Sequence, residues 1–392
     1  LFIHRRFSIL TVAMHEPLSI LQSCFSPSWG GLEMQALETA CRLIDRGHAV
    51  LLACTGGSRL ASEAARRQVP LLELGVTGYL HPHAVSALRH ALRVRNVGVI
   101  HSHHSRDLAT LVPAMLLSGR RRPIVLTKSM GSYLRKKDLL HRFTFSRVQR
   151  VLAVSRVIAR NVIDTTPAPP ERVVVFPYGV DLARFHPGSD GGPRVRKEFG
   201  IGEDQILVGF IGRFSPGKGL EELLEAARSV ADRNPAVRFL VVGEASHGEE
   251  EYAADIRARA RALRLEETVT FAGFRRDVPD VMAAFDVFAF PSHAEAFGIV
   301  LIEAMAAARP VISTDCDGVL DIVRDGETGI MIPPRRADLL AEALIRLAGD
   351  PALRRRFGEE GRRVAEREFD LERLLPRLEE LYRAVMKEVP ST

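Results

Sequence analysis

Short, mainly apolar runs recur along this chain, separated by longer stretches with helical spacing, and that rhythm leaves few folds open. A strand with one face in water alternates apolar and polar residues. A strand apolar at every position is buried on both faces, as in a parallel sheet covered by helices on either side. In the first half the runs are 20–24, 49–54, 97–101, 124–127, 151–154 and 173–176; in the second, 206–211, 239–242, 269–271, 287–290 and 310–313. Between them, residues 32–46 carry apolar positions at helical spacing up to Gly47, and 220–233 and 371–388 do the same. The expected class is α/β, with two doubly wound domains. Pro, Gly and Asp cluster at 181–192, which reads as the linker.

A length of 392 residues suits two domains, each with its own core. The four cysteines show no metal-type pairing and read as free thiols. No apolar run reaches the length of a membrane span. Arg5 and Arg6 precede a short apolar run, too short for a secretory signal, so residues 1–16 read as an extension before the first domain. Charge is divided unevenly. Residues 1–190 hold 25 Lys and Arg against 12 Asp and Glu, a net of +13, while the remainder holds 29 against 36, a net of −7. Eleven of the thirteen histidines also fall in the first part. A basic half and an acidic half speak of partners rather than of fold. Aromatic residues at 6% are too sparse to interleave with the cations as base-stacking platforms, which argues against a nucleic acid partner.

Chemistry-bearing residues gather where apolar runs end, the place where doubly wound sheets bind ligands. After Val287–Phe290, a short polar turn holding Glu295 leads into an apolar helical stretch from Gly298, with Glu303 on the helix. The first N–H groups of a helix are left without internal partners and favour an anion, here near Gly298 and Ile299. Carboxylates beside an anion need a neutral partner, and sugar or ribose hydroxyls fit, since one carboxylate accepts from two of them. After 206–211 comes Gly212-Arg213-Phe-Ser-Pro-Gly217-Lys218-Gly, a turn whose guanidinium and ammonium can clamp a diphosphate. Ser28-Trp-Gly30-Gly31 follows the first run and lets backbone approach a phosphate. No Gly-x-Gly-x-x-Gly follows that run, so a dinucleotide oxidoreductase is disfavoured.

The Glu295–Glu303 pattern, the Gly212–Gly219 turn, Gly30-Gly31 and Pro177-Tyr-Gly-Val-Asp181 together resemble the retaining glycosyltransferases of family four, also called glycosyltransferase group 1. The matches run in order from about Leu18 to the C-terminus. The resemblance implies the GT-B architecture: two Rossmann-like domains facing across a cleft, an N-terminal acceptor domain at 1–185, a C-terminal nucleotide-sugar domain at 186–370, and a helix at 371–392 crossing back to the first. It implies that Arg213 and Lys218 hold the leaving diphosphate and that Glu295 touches the donor sugar. Glu303, Phe297, Gly298, Ile299 and Gly243 would line the nucleotide site, with Gly30 and Gly31 reaching its phosphates. Phe274 and Arg275 lie in the loop whose backbone reads the base in the family, although a plain turn explains that segment equally well. The leaving group would be a nucleoside diphosphate, with no cofactor and no metal required.

Two positions depart from the family pattern. Met130 in Thr127-Lys-Ser-Met-Gly131 stands where relatives often carry a histidine. His101-Ser-His103-His104 ends another run, and His103 is the candidate to supply the imidazole, though three histidines in a polar loop also suit a surface turn or, less well, a metal. Asp321 stands where relatives have glutamate. No carboxylate offers itself beneath the anomeric carbon as a nucleophile, so front-face displacement is expected, with the clamped diphosphate leaving first.

The acceptor is read from the basic half. Arg120–Arg122 and Leu134–Arg150 combine Arg135, Lys136, Lys137, Arg142, Arg147 and Arg150 with Leu139, Leu140, Phe143 and Val148, a pattern suited to a basic helix on an anionic membrane surface. This predicts a peripheral enzyme at the inner face of the cytoplasmic membrane, acting on a lipid-linked or lipopolysaccharide-type glycan. The alternatives are a small soluble acceptor, or a nucleotide-sugar epimerase or hydrolase of the same fold.

Overall fold

The computed structural model of the chain describes residues 16–76, 81–245 and 248–389. The extension expected at 1–16 lies, apart from Glu16, outside the described residues.

The apolar runs become two parallel sheets. The first comprises β1 (Ser19–Cys24), β2 (Ala49–Thr55), β3 (Leu71–Leu74), β4 (Val99–Ser102), β5 (Ile124–Lys128), β6 (Val148–Ala153) and β7 (Val173–Val175). Its spatial order is β3-β2-β1-β4-β5-β6-β7, so β1 pairs in parallel with both β2 and β4. The second comprises β8 (Ile206–Ile211), β9 (Val237–Val242), β10 (Val269–Gly273), β11 (Val287–Phe290), β12 (Val311–Thr314) and β13 (Gly329–Ile332), in the order β10-β9-β8-β11-β12-β13. Each sheet reverses its winding once, between β1 and β4 and between β8 and β11. Adjacent loops there leave on opposite faces and open a crevice at the carboxyl ends.

The described residues fall into two compact units, one holding those from 16 to 126, 147–149 and 382–389, the other those from 127 to 146 and from 150 to 381. The second unit therefore holds β7 and most of β6 from the first sheet as well as all of the second. Its core joins Phe210, Val241 and Val287 of the sheet to Leu223, Leu224 and Val230 of the helix Leu220–Ala231, and to Leu340, Leu344 and Leu347 of the helix Ala337–Gly349. These side chains are almost wholly withdrawn from water, and burial of this kind contributes about 25 cal/mol per Å² of apolar surface.

Two edge strands, β3 and β13, leave no mark in the sequence rhythm. Each has only four residues and is partly exposed; β3 is broken by Glu73, and β13, Gly329-Ile-Met-Ile332, is apolar but too short to stand out. The basic amphipathic helix is shorter than its pattern implies. Only Leu139–Phe145 is helical, capped by the Asp138 carboxylate, which accepts the His141 N–H at 3.1 Å; Val148 already opens β6. Arg122, counted among the lipid-facing cations, is instead buried. Its guanidinium donates to the carbonyls of Val97 and Leu92, at 2.8 Å each, and to Ser118 Oγ at 2.7 Å, tying a turn to the helix before β4. Among the described residues, no helix is long and apolar enough to cross a membrane.

Candidate functional site

In the second unit the crevice between β8 and β11 is built by two loops that hold one another. The turn after β8 alternates outward and inward: Arg213 is exposed, while Phe214 is fully buried, its N–H bonded to the Glu244 carbonyl at 2.9 Å and its ring edge-on to Phe271. Gly219 then starts the helix Leu220–Ala231 with φ at +73°, and a Cβ there would lie 2.0 Å from the Pro291 carbonyl oxygen, so only glycine lets the turn pass beneath β11. His293 N–H donates to the Gly217 carbonyl at 2.8 Å, and the His293 ring meets Glu222 at 3.0 Å.

These contacts bring together the residues that the sequence singled out. Lys218 Nζ lies 2.7 Å from Glu295 Oε2, with both side chains largely shielded from solvent. The cation expected on a diphosphate and the carboxylate expected on a sugar are thus paired with each other. Gly298, at φ +93°, precedes the helix Ile299–Ala306, and no side chain caps that terminus, which leaves its first N–H groups for an anion. Glu303, one helical turn on, is partly buried. Loss of hydration lifts its carboxyl to about 8, against a smaller opposing pull from Arg184.

Phe297 is buried, its ring edge-on to Tyr178 and Phe369, so only its backbone is available to a ligand. Gly243 N–H donates to the Gly273 carbonyl at 2.9 Å, drawing the ends of β9 and β10 together, and Phe274 beside it is 42% exposed. The side chain of Arg275 is committed elsewhere. Its guanidinium grips Asp277, at 2.8 and 2.6 Å, and Glu198, and lies over the Phe199 ring, so this residue offers a base its backbone alone.

In the first unit the loop after β1 is fixed from three sides. Asp107 Oδ2 accepts from Ser23 Oγ at 2.9 Å and from the Phe25 N–H at 3.2 Å, and Thr55 Oγ1 donates to the Phe25 carbonyl at 2.9 Å. Gly30 caps the helix Gly31–Asp45, and the Glu33 side chain accepts the Gly30 N–H at 2.9 Å. His103 follows β4 and is buried, not the surface turn that the sequence left open, and both of its ring nitrogens lack a hydrogen-bond partner among the described residues. Its ring lies 4.3 Å from that of His101, whose Nδ1 meets the Tyr382 hydroxyl at 2.6 Å. Burial lowers His103 to about 4, and burial with the neighbouring ring holds His101 well below the ordinary value, so both are neutral at pH 7. Among the described residues no three His, Cys, Asp or Glu side chains form a metal-binding group.

Met130 is 59% exposed. Two residues before it, Lys128 ends β5, and burial together with Lys136 lowers its ammonium to about 8. Sequence reasoning passes over it, because a lone lysine after an apolar run carries no pattern. Asp321 is likewise not turned toward a ligand: its carboxylate accepts from Arg156 N–H at 2.5 Å and Nε at 2.6 Å.

Residues 193–364 match the family described as Glycosyl transferases group 1, and residues 29–184 match Glycosyltransferase Family 4. Alpha-maltose-1-phosphate synthase of Mycolicibacterium smegmatis is 30% identical over 310 residues, 73% of this chain and 79% of that protein. D-inositol 3-phosphate glycosyltransferase of Actinosynnema mirum is 34% identical over 215 residues, 53% of this chain, and the match spans about half of that relative's length, 51%. The fold is also that of the Anabaena HepE structure in complex with UDP and glucose (TM-score 0.80, 24% identity, 93% of this chain and 99% of that one). A glycosyltransferase structure from Rickettsia africae aligns with TM-score 0.85 at 21% identity, over 95% of this chain and all of that one.

Proposed function

This chain belongs to the group 1 glycosyl transferases, and from that premise we propose that it moves a sugar from a nucleoside-diphosphate sugar to an acceptor hydroxyl with retention of configuration. The observation that carries the reading is the Lys218–Glu295 contact in the crevice of the second sheet, with exposed Arg213 on the same turn as Lys218 and the uncapped helix terminus at Ile299 three residues beyond Ala296. Arg213, Lys218 and the terminal N–H groups face the charge that develops on a departing diphosphate, and preorganised groups of this kind are commonly the largest catalytic contribution. Glu303 takes the ribose hydroxyls, Glu295 the hydroxyls of the sugar, and Gly243 and the Phe274 loop the base. No metal is required in this scheme, because two side-chain cations meet the phosphate charge.

The front-face route follows from the same groups. The glycosyl–oxygen bond breaks toward the clamped diphosphate, the acceptor oxygen attacks from that side, and its proton passes to a leaving-group oxygen. His103, as a neutral imidazole, accepts or donates a hydrogen bond to a hydroxyl without adding charge.

Two acceptor classes are supported by separate observations. The names of the relatives, an inositol phosphate glycosyltransferase and a maltose-1-phosphate synthase, favour a small phosphorylated acceptor. The exposed run Tyr133, Leu134, Leu139, Leu140 and Phe143, flanked by Arg135, Lys136 and Lys137, favours a lipid-linked acceptor at the inner face of an anionic membrane.

A thermal-shift panel of nucleoside diphosphates and their sugars tests the donor. At least one member should raise the Tm by mass action. Arg213→Ala and Lys218→Ala should each lower turnover by about 100-fold or more, as loss of a charge-stabilising donor does. Near-normal turnover in both variants, or no stabilising nucleotide, would overturn the proposal.

A further inference from the structure

Resting on the reading of Glu295 as the carboxylate that meets the donor sugar, we infer that Ser155 and Asp321 are positioning residues for it, acting through the backbone of its loop. Ser155 is fully buried and caps the helix Arg156–Thr165, its Oγ accepting the Ile158 N–H at 3.4 Å. An N-cap hydroxyl still has a proton to give. Ser155 gives it to the Ala296 carbonyl at 2.6 Å, the residue next to Glu295.

The 3-10 turn Asp317–Asp321 closes the circuit. Gly318 N–H donates to the Glu295 carbonyl at 2.8 Å, and a Cβ on Gly318 would lie 2.1 Å from the Ala296 oxygen, so this turn lies directly against the loop. At the other end of the turn, Asp321 accepts from both the backbone N–H and the guanidinium of Arg156. Two consecutive carbonyls, of Glu295 and Ala296, are therefore held by two elements that are themselves bonded to each other.

Neither peptide can rotate without breaking one of these bonds, which fixes the direction in which the Glu295 side chain leaves the backbone. The Ala296 N–H, 3.1 Å from Glu295 Oε1, restrains the carboxylate further. Group-transfer chemistry tolerates little error, and a displacement near 1 Å costs about 100-fold in rate.

The test uses the full chain, the best nucleoside diphosphate from the panel above, and its sugar. Ser155→Ala and Asp321→Ala should each lower kcat about tenfold or more, with diphosphate affinity not lowered. Ser155→Thr, which keeps the hydroxyl, should recover most of the loss. In a Glu295→Ala background the same changes should add less than twofold, because they act through that carboxylate. Full additivity, or a parallel fall in diphosphate affinity, overturns the inference. Hydrogen exchange at the Gly318 amide in the ligand-free protein gives a second readout. Asp321→Ala should accelerate it, and an unchanged rate sinks the brace whatever the donor proves to be. If instead the amide responds and no nucleoside diphosphate binds, the donor reading fails and the brace stands.

Discussion

At the scale of single residues, the Lys218–Glu295 pair changes what a substitution should do. From sequence alone, removing Glu295 should leave nucleoside diphosphate binding untouched, since that ligand has no donor sugar. In the structure Lys218 is already held by a carboxylate 2.7 Å away, so a diphosphate bound as proposed would have to take it from Glu295. Glu295→Gln should therefore bind a nucleoside diphosphate more tightly, by up to about fivefold, the upper end for an ion pair of about 1 kcal/mol, while sugar transfer falls. Calorimetry decides it, and equal or weaker binding would mean that the pair persists in the complex. Glu303 gives a pH dependence with a definite sign. Its carboxyl is raised from an ordinary 4.5 to about 8, so between those values the folded chain keeps a proton that the unfolded chain has released. Stability contributed at low pH is lost as the pH rises through that window. Glu303→Gln should show a Tm advantage over the wild type that grows by a few degrees from pH 5 to pH 9. A constant difference would mean that Glu303 titrates like an exposed glutamate.

At the scale of elements, strands and site loops were the most legible, because a buried parallel strand and a loop at its carboxyl end both write themselves into contiguous residues. The runs at 206–211 and 287–290 predicted β8 and β11, and the motifs that follow them form the crevice. What escaped was set by tertiary context. Arg122 belongs to an Arg-Arg-Arg run that reads as surface, and only the fold reveals the carbonyls waiting for it. Arg275 is taken up by carboxylates from two places, one of them 77 residues away in sequence. The segment before β6 reads as one long basic helix but holds a single short one at Leu139–Phe145, which leaves Tyr133, Leu134 and Leu139 on an exposed stretch. Such a stretch should insert its apolar side chains at a lipid interface while its cations meet the headgroups, each adding on the order of 1 kcal/mol. Binding to anionic vesicles should fall steeply with added salt. Neutralising Arg135, Lys136 and Lys137 together should weaken it further without altering nucleotide affinity. Co-sedimentation that detects no binding at low salt would leave the small-acceptor reading alone.

For the whole molecule, the two-sheet plan was legible from rhythm, whereas the membership of its compact units was not, since that depends on contacts between residues far apart in sequence. Residues 382–389 belong with the described residues from 16 to 126. Tyr382 is wholly buried, and its hydroxyl is the partner of His101 Nδ1 on a central strand. A chain that grows from its N-terminus makes β1 and β4 early, yet the group that satisfies the buried His101 appears only after some 280 further residues have been added. At about 5–20 residues per second, that is a wait on the order of 14 to 56 seconds on the ribosome. Until then the first sheet lacks this one hydrogen bond in its interior, a contribution of about 0.5–1.5 kcal/mol. The unit whose central strands are synthesised first is thus among the last to gain all of its contacts.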